Sequence, residues 1–394
     1  MNDAQRKVVD GSAWREFCDR LKDAGAVVLG DTAARDEVSV AEGYRYLSRL
    51  LRGGLEASLE FGDPLFPQFR CPAHETLKLG ADNPDNRYES CAVDPAHDYR
   101  ITGTRGSVDY LGFGSVNNRY ASGGTMETTG YIDARQMHID AHGRFELIVS
   151  QREQPGNWLR MSPGTNSINV RQTFQDRRTE RPAELRIERI GASSETPQPL
   201  TPERLLQGLE AASGYVQGSA TLFARWAGSF LPALNRLPPA DQAYCRAIGG
   251  DPNIFYFHGA WQLADDEMLV ITAPSVPQCQ SWNFQLDNWW MESLDYRYHT
   301  IHVNKHTARH DADGGVRIHV AHRDPGLPNW IDTAGHRIGT MCWRWIGARE
   351  HPLLQTALRR LRHTPRGTPH EPAGSPRDRR MLPARPGHHA PACD

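Results

Sequence analysis

Apolar positions recur at helical spacing in three stretches of the chain and alternate with polar ones through most of the rest. Trp14, Phe17, Cys18 and Leu21 fall on one face of a helix expected over 14–26. Tyr44, Leu47, Leu51 and Leu55 form a second stripe over 39–60, weakened in its middle by Gly53 and Gly54 and ended by the proline-rich segment at 61–69. A third helical region begins at Thr201-Pro202, where a capping hydroxyl precedes a proline at the first helical position. It continues through Leu205, Leu209 and Ala212 to Phe223, Trp226, Phe230 and Leu234, and Pro238-Pro239 and Gly249-Gly250-Asp251-Pro252 close it.

Between these helices the period changes to two. Asn83-Pro84-Asp85-Asn86 is a turn by its chemistry, since proline fixes φ and Asx side chains bond back to the nearby backbone. Short strands are expected at 99–102, 108–111, 127–132, 145–149, 167–174 and 185–190. After the central helices they return at 255–258, 268–272, 282–290, 316–320 and 340–346, and a short helix is expected over 353–361. In one stretch Trp282, Phe284, Leu286 and Trp290 take one face while Asn283, Gln285, Asp287 and Trp289 take the other. The spacing suits an antiparallel sandwich or barrel rather than alternating β and α units.

The two runs of strands share a motif. DAHGRFELIVSQREQPGNWL from Asp140 aligns with DADGGVRIHVAHRDPGLPNWI from Asp311. Asp140, Gly143, Val149 and Arg152 match Asp311, Gly314, Val320 and Arg323, and Asn157-Trp158 matches Asn329-Trp330 after one residue of slack. The expected architecture is therefore mainly β with helical N-terminal and central segments, carrying two related antiparallel jelly-roll-like sandwich or barrel units in tandem. The divisions read as a helical segment at 1–77, a first β unit at 78–200, a helical insertion at 201–252 and a second β unit at 253–347. Residues 348–394 follow as a short helix and a basic tail without periodicity, expected to be disordered.

At 394 residues the chain is long enough for two cores, and 45 basic against 47 acidic side chains leave no whole-chain pull toward nucleic acid or an anionic membrane. No apolar run suits a signal sequence or a bilayer span, so the expected location is the cytoplasm, with no membrane insertion. Seven scattered cysteines without a CxxC pair exclude a zinc ribbon and a thioredoxin-like motif, and suggest reduced thiols.

Three separated segments carry a family resemblance. GADNPDNRYESCAVDPAHDYRITGTRG, GNWLRMSPGTNSINVRQTFQDRRTERPAELRIERI and DPGLPNWIDTAGHRIGTMCWRW occur in the order seen in a bacterial domain of unknown function, the twelve-fourteen family. Over about 78–347 the chain resembles that family. The resemblance implies a tandem antiparallel β arrangement and an association with steroid, terpenoid and other hydrophobic metabolites. It supplies no catalytic residues.

The polar chemistry concentrates late in the chain. His299, His302, His306, His310, His319, His322 and His336 fall close together, but no HxH pair accompanies a nearby carboxylate, so no metal ligands and no cofactor are assigned. The sharper candidate is the loop from Asn329 to Arg337. Asp332 is placed to orient His336 as a general base, with Arg337 holding an anionic or carbonyl oxygen. The bland alternative makes Asp332 a turn cap and Arg337 an ion-pair partner. His319 and Arg323 share a strand face that could line a concave surface, and Trp282 and Trp289 could offer aromatic platforms. Arg171, on a strand face with Asn169 and Thr173, is a fork for a ligand anion or a bridge between the units.

Together these suggest an acid–base enzyme (lyase, isomerase or hydrolase) acting on a small hydrophobic oxygenated metabolite between the two units. The alternatives are a non-catalytic β-sandwich module binding carbohydrate or protein and, more weakly, a metal-dependent β-barrel enzyme. A small molecule is the expected partner, nucleic acid is not, and a homo-oligomer is left open.

Overall fold

The computed structural model describes residues 1–31, 33–192 and 196–361. The basic tail beyond 361 lies outside these residues. Helices α1 (Asp3–Val9), α2 (Ser12–Ala24) and α3 (Glu37–Leu55) open the chain. A first β unit contains β1 (Asn86–Ala92), β2 (Tyr99–Thr104), β3 (Tyr110–Asn118), β4 (Met126–Asp133), β5 (Arg144–Ser150), β6 (Trp158–Arg160), β7 (Ser167–Thr173) and β8 (Glu184–Arg189). Helices α4 (Pro202–Gly228) and α5 (Gln242–Ala247) follow. A second β unit contains β9 (Ile254–Gln262), β10 (Glu267–Ala273), β11 (Ser281–Asp287), β12 (His302–Asn304), β13 (Val316–Ala321), β14 (Trp330–Asp332), β15 (Ile338–Ile346) and β16 (Gln355–Arg360).

Each unit is a sandwich of two four-stranded sheets. The sheet orders are β1-β7-β3-β4 over β6-β5-β2-β8, then β9-β15-β11-β12 over β14-β13-β10-β16. Strand by strand, in chain order, the second unit repeats the first. All pairings are antiparallel except β5 with β6 and β13 with β14, which are parallel in both copies. Tyr99, Ile101, Phe113, Leu147 and Val170 help fill the first core. Phe257, Leu269, Trp282, Phe284, Val320 and Trp343 help fill the second.

The repeated motif has the same structural job in both copies. Asn157 Oδ1 accepts the His138 N–H at 2.7 Å, while its amide donates to the carbonyls of His138 and Glu146. Asn329 Oδ1 accepts the Arg309 N–H at 2.8 Å, while its amide donates to the carbonyls of Arg309 and Arg317. Trp158 and Trp330 each donate their indole N–H to a backbone carbonyl of the neighbouring strand. Both Asx clips satisfy backbone groups that would otherwise be left open beside the short parallel strand.

The helices lie against the sheets that the two units turn toward each other. Thr201 caps α4 by accepting the Arg204 N–H, with Pro202 at the first helical position as expected. Gly53 and Gly54, expected to weaken α3, mark close approaches, as does Gly43. A Cβ on Gly43 would stand 2.6 Å from the Trp290 ring, and one on Gly54 would stand 3.1 Å from the Ala212 carbonyl of α4. The buried face of α3 therefore runs through Gly43, Tyr46, Leu50 and Gly53, leaving Tyr44 exposed. In α2, Phe17 is buried, whereas Trp14 and Cys18 face outward. The helix expected at 353–361 is instead β16, an edge strand paired with β10 as β8 pairs with β2. Sheet closure overrides the local apolar spacing there.

Candidate functional site

A cavity of about 540 Å³ lies where the polar faces of the two inner sheets meet the helical layer. β1 contributes Tyr88 and Ser90, β7 contributes Asn169 and Arg171, β9 contributes Tyr256 and His258, and β15 contributes Arg344. Phe223 and Trp226 of α4, with Tyr120, Ile254 and Leu79, supply apolar wall. Such a volume and mixture are ordinary for a pocket holding a small organic molecule.

The polar end of this cavity is built twice. Register places Tyr88 opposite Arg171 and Tyr256 opposite Arg344. Ahead of each tyrosine stands an equivalent turn, Asn83-Pro84-Asp85 or Asp251-Pro252-Asn253. The first residue of each turn donates its N–H to the tyrosine hydroxyl at 2.9 Å, and its side-chain oxygen accepts the N–H two residues on. The arginines then cross between units. Arg171 donates to the Gly249 carbonyl at 2.5 Å, and Arg344 donates to the Ala81 carbonyl. Both acceptors lie two residues before the opposite turn and have positive φ, which helps set the direction of the carbonyl. An approximate twofold relation thus brings two guanidinium groups and two phenols to one place.

Around Arg171 lies a carboxylate. Asp251 Oδ2 is 3.8 Å from Arg171 Nη1 and accepts the Tyr110 hydroxyl at 2.7 Å. Burial opposes the Arg171 charge, but Asp251 more than restores it and raises the guanidinium above its ordinary value. At the equivalent place beside Arg344 the residue is Asn83, whose Oδ1 accepts from Asn283 at 2.8 Å. Arg344 donates to Gln285 Oε1 at 2.6 Å and, among the described residues, makes no ion pair. Its acidic neighbour Asp287 is fully buried, and burial pushes that carboxyl up to about 8.

Among the other polar groups of the cavity, Asp82 accepts the Ser293 N–H at 3.0 Å and the Ser293 hydroxyl at 2.8 Å. Burial raises Tyr88 and Tyr256, so both phenols stay protonated. Each hydroxyl accepts a backbone N–H, and among the described residues no acceptor takes its own proton. Burial pushes His258 down to about 3, a neutral ring stacked beside Trp226 and Phe230. Arg204 pairs with Asp63 at 3.0 Å and Glu89 with Arg87 at 3.2 Å. Arg70 lies alongside Ser90, and its buried Nη1 has no hydrogen-bond partner among the described residues.

Of the residues singled out in the sequence, Arg171 lines this cavity and also bridges the units, through Asp251 rather than through a carboxylate of its own unit. The loop residues are not brought together. Asp332 pairs with His299 at 2.7 Å and caps Ala334, so it does not orient His336. His336 is buried, with Nδ1 against the carbonyls of Thr333 and Ala334 and Nε2 3.6 Å from Glu42 of α3. Arg337 makes an exposed pair with Asp265 at 2.7 Å. Trp282 stacks on Trp343 in the second core at 4.7 Å, and Trp289 is buried in the cluster beneath the helices. His319 bonds the Pro328 carbonyl at 2.7 Å, and Arg323 is exposed. The other histidines of the group bond separate partners, and among the described residues no three His, Cys, Asp or Glu side chains gather as a metal site. Tyr88, Tyr256, His258 and Arg344 were not singled out, although Pro84, Tyr88 and Ala92 recur at the same spacing as Pro252, Tyr256 and Ala260.

This architecture is shared. No family model and no curated protein matches the sequence. The crystal structure of an uncharacterised protein from Burkholderia cenocepacia is similar at 51% identity with a TM-score of 0.89, over 90% of this chain and 99% of that one. The chain belongs to the same family as that Burkholderia cenocepacia protein. The VPA0106 protein from Vibrio parahaemolyticus has 12% identity and a TM-score of 0.45, over 80% of this chain and 98% of that one.

Proposed function

We propose that the protein binds a small, largely apolar oxygenated metabolite in the cavity between its β units and acts on it by acid–base chemistry. The observation that carries this is the convergence of Arg171, Arg344, Tyr88 and Tyr256 on one apolar-walled cavity. Buried guanidinium and phenol donors are suited to an oxygen that carries or develops negative charge. Tyr88 and Tyr256, kept protonated by burial, are the candidate proton donors. His258 is a weak acceptor at about 3, so the chemistry supported is polarisation and protonation of a ligand oxygen. The lyase, isomerase or hydrolase step envisaged for the Asp332–Arg337 loop is accordingly assigned to this cavity. The substrate class follows the twelve-fourteen resemblance, namely steroid, terpenoid or lipid derivatives.

The carbohydrate- or protein-binding alternative has less support, because Trp282 and Trp289 are buried and present no aromatic platform. Among the described residues no helix is long and apolar enough to cross a membrane. A cytoplasmic location is part of the proposal.

The test is a thermal-shift and native mass-spectrometric screen of the full chain against hydrophobic carboxylates, ketones, alcohols and sugars. A ligand bound to the native state alone raises the melting temperature by mass action. Shifts with apolar oxygenated compounds, lost in Tyr256→Phe, are expected. Shifts confined to sugars would overturn the proposal.

A further inference from the structure

The two halves of the cavity's polar end differ at the first position of the turn, Asn83 or Asp251, while Asp85 of the Asn83 turn is held by His302 and Asn304. Asp251 provides Arg171 with a counter-ion, and its oxygens are further held by the Asn253 N–H and the Tyr110 hydroxyl. Asn83, at the equivalent position of the other turn, provides Arg344 with none. Its hydrogen bonds are otherwise those of an aspartate. Oδ1 accepts from Asp85 N at 3.0 Å and from Asn283 at 2.8 Å, and only a 3.3 Å donation to Asn86 requires the amide. The fold thus tolerates a carboxylate at this kind of turn, and on the Arg344 side it has a neutral amide instead.

Arg344 is 4% exposed, and a buried cation without a counter-ion is costly to keep. A guanidinium has five N–H donors, of which contacts to Gln285, Asn283 and Ala81 take at most three. The rest, with the Tyr88 and Tyr256 protons, suit the two coplanar oxygens of a carboxylate. Among the described residues no carboxylate stands within ion-pair distance of Arg344, and a single guanidinium so placed matches a monoanion better than a phosphate dianion.

We propose that Arg344, rather than Arg171, anchors the ligand's head, that the head is a monoanionic carboxylate, and that Asn83 determines this specificity by withholding a counter-ion. This rests on the cavity being a ligand pocket. Arg171 is then a positioning cation satisfied within the protein, and Arg70, further along the same sheet face beside Ser90, meets the distal part of the ligand.

The test measures affinities of the full chain by calorimetry for octanoate and cinnamate, with octanol and cinnamamide as neutral counterparts. Asn83→Asp places a carboxylate beside Arg344 as Asp251 stands beside Arg171, and is expected to weaken both carboxylates at least tenfold while sparing the neutral compounds. Asp251→Asn frees Arg171 and is expected to leave carboxylate affinity unchanged or tighter. If Asn83→Asp does not fold, Asp251→Asn decides alone, since a tenfold loss there makes Arg171 the anchor and overturns the proposal. Carboxylate affinity that survives in Asn83→Asp overturns it as well. Wild-type protein that binds the neutral compounds but neither carboxylate overturns the anchor and leaves the pocket standing. Binding of none of the four overturns both.

Discussion

The turns that begin at Asn83 and Asp251 have the same backbone hydrogen bonds, the same proline and the same tyrosine five residues on, yet the aspartate changes place. In one it stands third, as Asp85 against His302 and Asn304, and in the other it stands first, as Asp251 against Arg171. Around the Asp251 turn the local groups are satisfied, with Asp251 meeting Arg171, Tyr110 and Asn253. Around the Asn83 turn the aspartate faces away to His302 and Asn304, and a buried arginine is left with amide and carbonyl partners. Duplication supplied two copies of one frame, and the exchange of aspartate and asparagine between the first and third turn positions separates a closed structural bridge from the position proposed to bind.

The largest expected effect comes from breaking the closed side. Asp251→Asn leaves Arg171 without its carboxylate and should destabilise the protein by about 3 kcal/mol in urea unfolding, the usual result of removing one partner of a buried pair. Asn83→Asp should do the reverse on the open side and raise the ligand-free melting temperature. Equal and opposite changes would show that the first turn position acts through its charge alone. Destabilisation by both would mean that geometry, as well as charge, has diverged.

Asp287 sharpens the comparison from behind Arg344. Its equivalent in the first unit, Val116, cannot titrate. With a folded-state pKa of about 8 against an unfolded value near 4, the unfolded chain holds fewer protons between those limits. Stability from this group therefore falls as pH rises from about 4 to 8 and levels off above. Asp287→Asn should remove the slope and gain about 2 kcal/mol at pH 8 relative to wild type. His258, pushed down to about 3, contributes the opposite slope but only below pH 6.5. Burial also shifts Glu292 upward and Lys78 downward, so it is the difference between wild-type and Asp287→Asn melting curves from pH 6.5 to 8.5 that isolates Asp287. An unchanged slope in the variant would show that Asp287 is ionised in the folded state.

The Asx clips test whether the two units are energetically alike. Asn157→Ala and Asn329→Ala each remove three hydrogen bonds at partly exposed positions, and each should cost about 1–2 kcal/mol. A large cost in one unit only would identify that unit as the less stable part of the chain.

Much of this frame was legible in the sequence. Alternation separated Trp282, Phe284 and Leu286 from Asn283, Gln285 and Asp287, and the structure puts the first set in the core and the second toward the first unit. The alignment of Asp140 with Asp311 revealed the duplication, because it preserves the residues that make turns and clips. The second repeat, 83–92 against 251–260, is harder to see, since only proline, tyrosine and alanine are identical and the rest trade polar for apolar. Strands too short to carry a period, β6, β12 and β14, left no signal. The site was illegible for a further reason. Each of its arginines donates to a carbonyl just ahead of the other unit's first strand, a relation that exists only after the two units have packed.

The smallest effect discriminates between the loop and the cavity. Asp332, His336 and Arg337 are close in sequence, but chain direction separates their side chains, toward His299, Glu42 and Asp265 respectively. The Arg337–Asp265 pair is exposed on both sides, at 62% and 71%, where solvent screens the attraction. Arg337→Ala should change stability by less than about 0.5 kcal/mol and leave the affinity for every cavity ligand unaltered. Arg344→Gln, by contrast, should abolish carboxylate binding. If Arg337→Ala weakened a ligand that Arg344→Gln still bound, the functional centre would lie in the loop, and the cavity would be only the seam where two copies of one fold meet.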